Sequence, residues 1–515
     1  MRERMLRDLL PGIPVQEEHG SRERRVTGLA YDSREVEPGF LFVAMDGQHT
    51  DGHRFIPQAV SRGAAAVVHA SPLAEYAPTA TYVRVASPRR VLSPIAAAFY
   101  GNPSLELGVI GVTGTDGKSS TVWFIAQILA RLGYRAGFLS TVSFQVADRM
   151  VKNPFRQSTP EASEIHGMLR EMVETGRQYA VVEATSHGLS ERMNRLADVA
   201  FDAAVFTNVT HEHLEFHGTF EQYRSDKANL FRALDRTPSK TGRGGGAPLL
   251  RAAVVNADDP SAEYFRASTT VHCSSYGLRA RADLSAREIR ADITGSRFLM
   301  RWEGKEAAAR VAIPGPFWVE NSLAACLTVS RALGLDPLSL APEIQGLRSV
   351  QGRMDYVDQG QPFALIVDYA HTPGAFEKLF PWIREHTPGR ITVVFGSAGE
   401  RDREKRRMQG RVASRHCDTL VLTDEDPRGE DRMAILEQIA EGCESKTRGK
   451  DLFLVPDRPE AIRFAVSRAG SGDTILLLGK GHEGSIIGPT GPAPWDERAE
   501  AEGALRELGY GGAGR

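Results

Sequence analysis

Four groups of residues carry side chains able to do chemistry. The first is Gly114-Thr115-Asp116-Gly117-Lys118-Ser119-Ser120. Glycines let backbone N–H groups approach phosphates, a lysine neutralises a β- or γ-phosphate, and a serine hydroxyl binds Mg²⁺. The strict Walker spacing would put a glycine at position 112, where the chain has Val112, so the loop is a variant. The second group is acidic and imidazole. Glu183 closes an apolar run, as the Walker B aspartate does, and Thr210-His211-Glu212-His213-Leu214-Glu215-Phe216-His217 follows later. This is not His-Glu-x-x-His, and no cysteine lies near it. Hard oxygens from Ser119 and Glu183 favour Mg²⁺ over zinc. His211 and His217 read as ordinary hydrogen-bonded residues. The third group is a lone lysine, Lys227, in a helical stretch, where an exposed position is the default. The fourth is Arg401, Arg428 and Glu483, residue types that grip a carboxylate and an ammonium and so suit an amino acid. In 401–407 the first arginine reads as functional and the later basic residues as surface.

These groups need elements to hold them. Leu107 to Val112 reads as a buried parallel strand, and Val122, Phe124, Ile125, Ile128, Leu129 and Leu132 fall at helical spacing up to a C-capping Gly133. Runs at 179–182, 203–206 and 252–255 end in the polar clusters 183–187, 207–208 and 256–259, which places those clusters around the loop at the carboxyl ends of a parallel sheet. Runs at 364–367, 391–395, 419–422, 452–455 and 474–478 repeat the doubly wound pattern, with polar ends at 368–371, 399–402, 424–428 and 479–483. Residues 236–248 read as a flexible surface loop. The fold class expected is therefore α/β in three domains: a small N-terminal α/β domain (1–105), a central P-loop-type parallel-sheet ATPase domain (106–345) and a C-terminal Rossmann-like domain (346–515).

Composition narrows the function. The chain has 515 residues, 41% hydrophobic and 25% charged, with a net charge of −2, which argues for neither nucleic acid nor an anionic membrane as a bulk partner. No apolar run is long enough to span a bilayer, and the N-terminal stretch lacks a signal-peptide core. The four cysteines form no Cys-x-x-Cys pair and read as reduced, buried thiols of a cytoplasmic protein.

Taken together and in order, DSREVEPGFLFVAMDG, GVTGTDGKSST, STPEA, VVEATSHGL, VFTNVTHEHLEFHGTFEQYRSDKANLF, VNADDP, VENSLAA, QGRMD, VDYAHTP, FGSAGERDREKR, TDEDPRGED and GKGHE resemble the Mur ligases of peptidoglycan synthesis over nearly the whole chain. The resemblance implies an ATP-dependent ligase that adds the third amino acid to UDP-N-acetylmuramoyl-L-alanyl-D-glutamate through an acyl phosphate, in the cytoplasm and as a monomer. It implies that Ser33, Gln48, His49 and Thr50 contact the uridine nucleotide, and that Gln157, Ser158, Thr159, Thr185 and Arg192 hold the muramoyl dipeptide. ATP would be held by 114–120, Asn208, Asn321, Arg353 and Asp368. Ser119, Glu183, His213 and a carbamate on Lys227 would hold two Mg²⁺, with Lys118, Glu183, His213 and Lys227 as the catalytic set. Arg401, Glu425, Asp426, Pro427, Arg428, Gly479 and Glu483 would form the amino-acid pocket.

The chain departs from the family pattern in four places. Asp116 stands for the usual Asn; 211–215 carries longer acids; Arg192 and Arg195 compete for the peptide; and Asp-Asn-Pro-Arg reads Glu425-Asp426-Pro427-Arg428. Arg428 favours a distal carboxylate, hence meso-2,6-diaminopimelate. Asp426 favours a distal ammonium, as in lysine or ornithine. A folylpolyglutamate-type ligase and a slow nucleotide switch are the competing readings. The N-terminal DSREVEPGFLFVAMDG unit argues against the first.

Overall fold

The computed structural model describes residues 2–46, 51–155, 157–210, 214–240, 250–315 and 317–511, the side chains of Leu214 and Glu215 aside. The chain forms two compact units, one of Met1–Ser285 with Arg301–Glu306 and Asn321–Leu340, the other of Ala286–Met300, Ala307–Glu320 and Ala341–Arg515.

Among the described residues the first unit holds two main sheets beside a short antiparallel pair, Arg4–Met5 with Arg25–Val26. In the N-terminal one the strands lie in the order Val15–His19, Thr81–Val85, Ala66–His69, Phe40–Val43 and Gly28–Ala30, parallel except for the antiparallel Val15–His19 edge. The helix Pro88–Phe99 then leads towards the second sheet, and its Val91, Leu92, Ile95 and Phe99 are buried. In that sheet Gly108–Thr113 is central. Tyr179–Glu183 flanks it on one side and Ala203–Phe206, Ala252–Asn256 and Cys273–Gly277 on the other, all parallel. Buried on both faces, all but the last of these strands are near-continuous apolar runs, which makes them legible in sequence; Cys273–Gly277 is buried but mostly polar and is not expected from the sequence. Ala136–Leu139 extends the parallel sheet beyond Tyr179–Glu183, and Ser143–Gln145 and Met150–Lys152 add an antiparallel margin not expected from the sequence.

The helix Phe220–Arg236 covers the central sheet. Tyr223, Lys227, Leu230, Phe231 and Leu234 recur at helical spacing on its buried face. Lys227 is therefore buried, which overturns the exposed default. Part of the loop at 236–248 is also fixed: buried Lys240 donates to Asp202 (2.5 Å) and to the carbonyls of Ala200 (2.6 Å) and Leu107 (3.0 Å). Residues 241–249 lie outside the described set.

The second unit is built on a sheet in the order Asp355–Tyr356, Ala364–Asp368, Thr474–Leu478, Ile391–Phe395, Thr419–Leu422 and Leu452–Leu454, parallel but for its first strand. All five runs expected there are strands. Within 401–407, the surface reading fails for Arg406. It is fully buried and donates to Glu430 (2.9 Å), Gln438 (2.7 Å) and the Ala398 carbonyl (3.0 Å).

Candidate functional site

The strand Gly108–Thr113 turns through Gly114 into the helix Lys118–Arg131, and the turn is possible only with glycine at two places. Gly114 has φ +152°, and a Cβ there would lie 1.8 Å from Thr207 Oγ1. Gly117 has φ +81°, and a Cβ there would lie 2.6 Å from Asn321 Oδ1, so Asn321 sits against the loop. The neighbouring strand end clamps the loop by its backbone. Asp116 N–H donates to Asn208 Oδ1 (2.9 Å), and the Asp116 carbonyl accepts from Thr207 Oγ1 (2.7 Å) and Asn208 Nδ2 (3.2 Å). Thr115 N–H donates to the Asn208 carbonyl (2.8 Å). The Asn208 side chain is thus spent on the loop itself. The Asp116 side chain is exposed, so the position is used through its peptide group, which an aspartate supplies as well as an asparagine. Lys118 Nζ folds back onto the Thr115 carbonyl (2.6 Å).

Glu183 is the buried acid of this region. Its carboxylate accepts from Ser119 Oγ (2.7 Å), Thr141 N–H (2.8 Å) and Thr141 Oγ1 (2.8 Å). All three donors are neutral, and no ammonium or guanidinium pairs with it among the described residues. A buried carboxylate is costly without a counter-charge. Oxygen donors from Ser119 and Glu183, side by side at a helix N-terminus, fit a hard divalent cation. Lys227 Nζ, buried, donates to the Gly114 carbonyl (2.6 Å) and lies 4.4 Å from the Tyr223 ring centroid. Its place on the apolar stripe with Tyr223 and Leu230 was the available signal for its burial.

Next to Glu183, the Thr159 and Thr185 hydroxyls share a hydrogen bond (2.8 Å), and Thr159 Oγ1 donates to the Glu183 carbonyl (3.2 Å). Thr185 also accepts from Gly188 N–H (3.2 Å). Ser158 is half-buried and Gln157 exposed on the same stretch. The two arginines separate cleanly. Arg195 is buried and donates to the Thr159 carbonyl (2.9 Å) and Glu161 (2.8 Å), bracing the stretch from within. Arg192 is exposed, with its guanidinium 4.9 Å from the Phe216 ring centroid. His217, read as an ordinary buried histidine, lies between Asp226 (Nδ1, 2.7 Å) and Ser186 (Nε2, 3.0 Å). Asp258 and Asp259, expected around the loop, both hold turns through backbone N–H groups. Asp258 accepts backbone N–H groups from 278–280, and Asp259 from Val209 and Ser261. His211 and His213 lie outside the described residues, as do Gln48, His49 and Thr50.

In the N-terminal sheet Ser33 is buried, and its hydroxyl donates to Gln58 Oε1 (2.8 Å). Asp46, Asp51 and His53 converge as a metal site would. However, Ala70 N–H donates to His53 Nε2 (2.9 Å), so Nδ1 carries the proton and offers Asp51 an N–H (2.6 Å) rather than a metal a lone pair. A cavity of about 740 Å³ beside them is lined by His53, Tyr76 and Tyr82.

In the second unit, Asp368 ends its strand by accepting from Met354 N–H (2.7 Å) and Ala370 N–H (2.7 Å). Burial pushes its carboxyl up, and Arg353 pulls it back. The Arg353 guanidinium lies 4.8 Å from the Tyr369 ring centroid. The strand ends at 422 and 478 are tied together by Arg458, for which the sequence offers no signal. Arg458 is fully buried, pairs with Glu497 (2.6 Å) and donates to the carbonyls of Asp424 (2.9 Å) and Leu478 (2.8 Å). This frames 425–428 and 479–483 as one pocket wall. Glu425 is buried with Oε2 unpartnered; burial raises its carboxyl to about 7, against the pull of Lys405 and Lys480. Gly479 has φ +102°, and a Cβ there would meet Glu425 Oε2 at 3.2 Å. Asp426 Oδ1 accepts from Lys480 Nζ (2.7 Å) and Ile487 N–H (2.9 Å), and Lys480 also pairs with Glu483 (2.5 Å). Arg428 holds a left-handed φ of +55°, fixed by its N–H on the Ile487 carbonyl (2.8 Å). The loop 396–400 is pinned here through Gly399 N–H on the Asp426 carbonyl (2.8 Å), close under Pro427, and Arg401 is exposed beyond it.

Comparison with known proteins bears on all these regions. The profile of the Mur ligase family, catalytic domain, matches residues 25–100; that of the Mur ligase middle domain, 112–329; and that of the Mur ligase, glutamate ligase domain, 352–481. The UDP-N-acetylmuramyl-tripeptide synthetase of Roseiflexus sp. (strain RS-1) is 51% identical over 493 residues, 95% of this chain and 96% of that protein. The UDP-N-acetylmuramoyl-L-alanyl-D-glutamate--2,6-diaminopimelate ligase of Syntrophomonas wolfei is 36% identical over 501 residues, 97% of this chain and 98% of that one. A solved structure with the same enzyme title superposes with a TM-score of 0.69 at 26% identity, over 99% of this chain and all of that one. With the three domain types matched in order and relatives aligned end to end, the chain belongs to the Mur ligase family.

Proposed function

We propose that this Mur ligase, an ATP-dependent amide-forming enzyme of peptidoglycan synthesis, adds the third amino acid to UDP-N-acetylmuramoyl-L-alanyl-D-glutamate, and that this amino acid is meso-2,6-diaminopimelate. The observation that carries the reaction class is the Ser119–Glu183 pair at the head of the glycine-loop helix, where a buried carboxylate has only neutral donors among the described residues. The domain boundaries proposed are 1–105, 106–345 and 346–515, and the enzyme acts as a cytoplasmic monomer.

The D-glutamyl carboxylate attacks the γ-phosphorus of ATP, giving an acyl phosphate and ADP. The amine then attacks the acyl carbon, loses a proton and expels phosphate. No protein nucleophile is needed, so the residues orient the reactants and neutralise charge. The 114–120 backbone and Lys118 hold the phosphates; Asn208 and Asn321 support the loop; and Thr159, Thr185 and Arg192 hold the peptide. Ser119, Glu183 and His213 would hold Mg²⁺, which supplies neutralisation of phosphate charge. Arg353 and Asp368 contribute to ATP binding, and Ser33 with 48–50 binds the uridine end. A carbamate on Lys227 fits its setting because the modified nitrogen keeps one N–H for the Gly114 carbonyl. Lys227→Ala should lose activity that short carboxylic acids partly restore, and full activity in that variant would remove the carbamate from the mechanism. Arg428 is the reason for choosing diaminopimelate, since a guanidinium reads a distal carboxylate in two-pronged fashion.

The test is ADP release with and without the nucleotide dipeptide and amino acid. Turnover must require both. Turnover on a folate substrate, or ADP release indifferent to the dipeptide, would defeat the reading. A panel of diaminopimelate, lysine and ornithine decides the amino acid.

A further inference from the structure

The wall at 425–428 and 479–483 holds three carboxylates, Glu425, Asp426 and Glu483, and one buried ammonium, Lys480. The chain is pinned on both sides of that lysine. Gly479 and Gly481 have φ of +102° and +47°, and a Cβ on Gly481 would lie 2.7 Å from Tyr369 Cβ. Glu483 N–H closes the turn on the Lys480 carbonyl (2.8 Å). The side chain is thereby directed inward, where it is fully buried and bridges Asp426 Oδ1 (2.7 Å) and Glu483 Oε2 (2.5 Å). Asp426 Oδ1 also takes Ile487 N–H, and Glu483 Oε1 takes the Tyr369 hydroxyl (3.4 Å).

We propose that Lys480 is a positioning residue that sets amino-acid specificity, cancelling the charge of Asp426 and holding Glu483 in place so that the aspartate does not recruit a distal ammonium. The proposal rests on the reading of this wall as the amino-acid pocket. It removes the conflict between Asp426 and Arg428 noted in the sequence. With Asp426 neutralised from behind, the arginine is left to discriminate, and a substrate with a distal carboxylate is preferred over one with a distal ammonium alone.

The experiment measures KM and kcat for diaminopimelate, lysine and ornithine, with KM for ATP and for the nucleotide dipeptide, in Lys480→Met, Asp426→Asn and the double variant, each checked by thermal melting. In Lys480→Met the uncovered carboxylates should shift the ratio of kcat/KM towards lysine and ornithine by about tenfold or more, carried by KM. Asp426→Asn, which leaves the ammonium to Glu483 alone among its two carboxylate partners, should shift it the other way. The double variant should return the ratio to near its starting value, and it covers the case in which Lys480→Met alone does not fold. Equal loss for all three amino acids, or a double variant that does not recover, overturns the role of Lys480 while leaving the pocket in place. Folded variants with unchanged amino-acid KM and altered KM for ATP overturn the pocket reading as well.

Discussion

The glycine loop of the first unit and the pocket wall of the second are both built at carboxyl ends of parallel strands, yet they handle charge in opposite ways. Around 114–120 the contacts are peptide groups, hydroxyls, the Asn208 amide and two ammonium groups on loop carbonyls, Lys118 on Thr115 and Lys227 on Gly114, while the buried acid, Glu183, has no cationic partner among the described residues. At the wall nearly every charge is answered from inside the protein: Arg458 by Glu497, Arg406 by Glu430, Lys480 by Asp426 and Glu483. The loop sets Glu183 on neutral donors and takes the counter-charge for that acid from what binds. The wall is a charged frame whose specificity is carried by the few groups left over, Glu425 and Arg428.

The largest effect expected from breaking this contrast is at Glu183. Glu183→Gln keeps the size but removes the charge, and should lower kcat by roughly 10²–10³-fold with a raised requirement for Mg²⁺, read in a metal titration of ADP release. Activity within a few fold of wild type would mean that the acid is structural. Next is Arg458. Arg458→Met strands Glu497 in the core and should cost about 3–5 kcal/mol in a denaturant titration, and adding Glu497→Leu should recover much of it. A smaller effect concerns Glu425, whose carboxyl is raised to about 7 by burial. It is ionised above that value and neutral below, so kcat/KM for the amino acid should rise with pH through about 7, and Glu425→Gln should flatten the rise. Lys405, Lys480 and Arg458 oppose the shift and Glu483 adds to it. A rise that survives the substitution would assign it to another group. The smallest effect is at Asp116. Because the loop grips only its backbone, Asp116→Asn should change stability by no more than about 0.5 kcal/mol and leave KM for ATP nearly unaltered.

The same contrast explains what was legible in the sequence. Strands buried on both faces announce themselves as apolar runs, so Gly108–Thr113, Tyr179–Glu183, Ala203–Phe206, Ala252–Asn256 and the C-terminal parallel strands are legible nearly to the residue, while Ala136–Leu139 and Cys273–Gly277 are not. The margin at 143–152 and the strands Leu284–Asp292, Gly295–Trp302 and Lys305–Val311 are not legible either, because half-exposed strands mix polar and apolar residues. The glycine loop was legible because its chemistry is local. Lys227 was misjudged as exposed by treating it alone instead of on the stripe that runs from Tyr223 to Leu234. Arg406, Arg458 and Lys480 look like surface cations by type, and only the distant partners Glu430, Glu497 and Asp426 show otherwise. The Ser186–His217–Asp226 chain spans three separate segments and had no sequence signature.

The four cysteines have a use of their own. All are buried, and burial raises the thiols of Cys273 and Cys443 to about 11 and about 12, with Cys326 and Cys417 also pushed upward. Thiolate is scarce at neutral pH in such settings, so alkylation has to wait for the chain to open. Cys273 and Cys326 belong to the first unit, Cys417 and Cys443 to the second. The protein thus carries two chemical clocks in each unit, and the order in which they are stopped by a thiol reagent, with ATP or an amino acid present, records which unit each ligand holds shut.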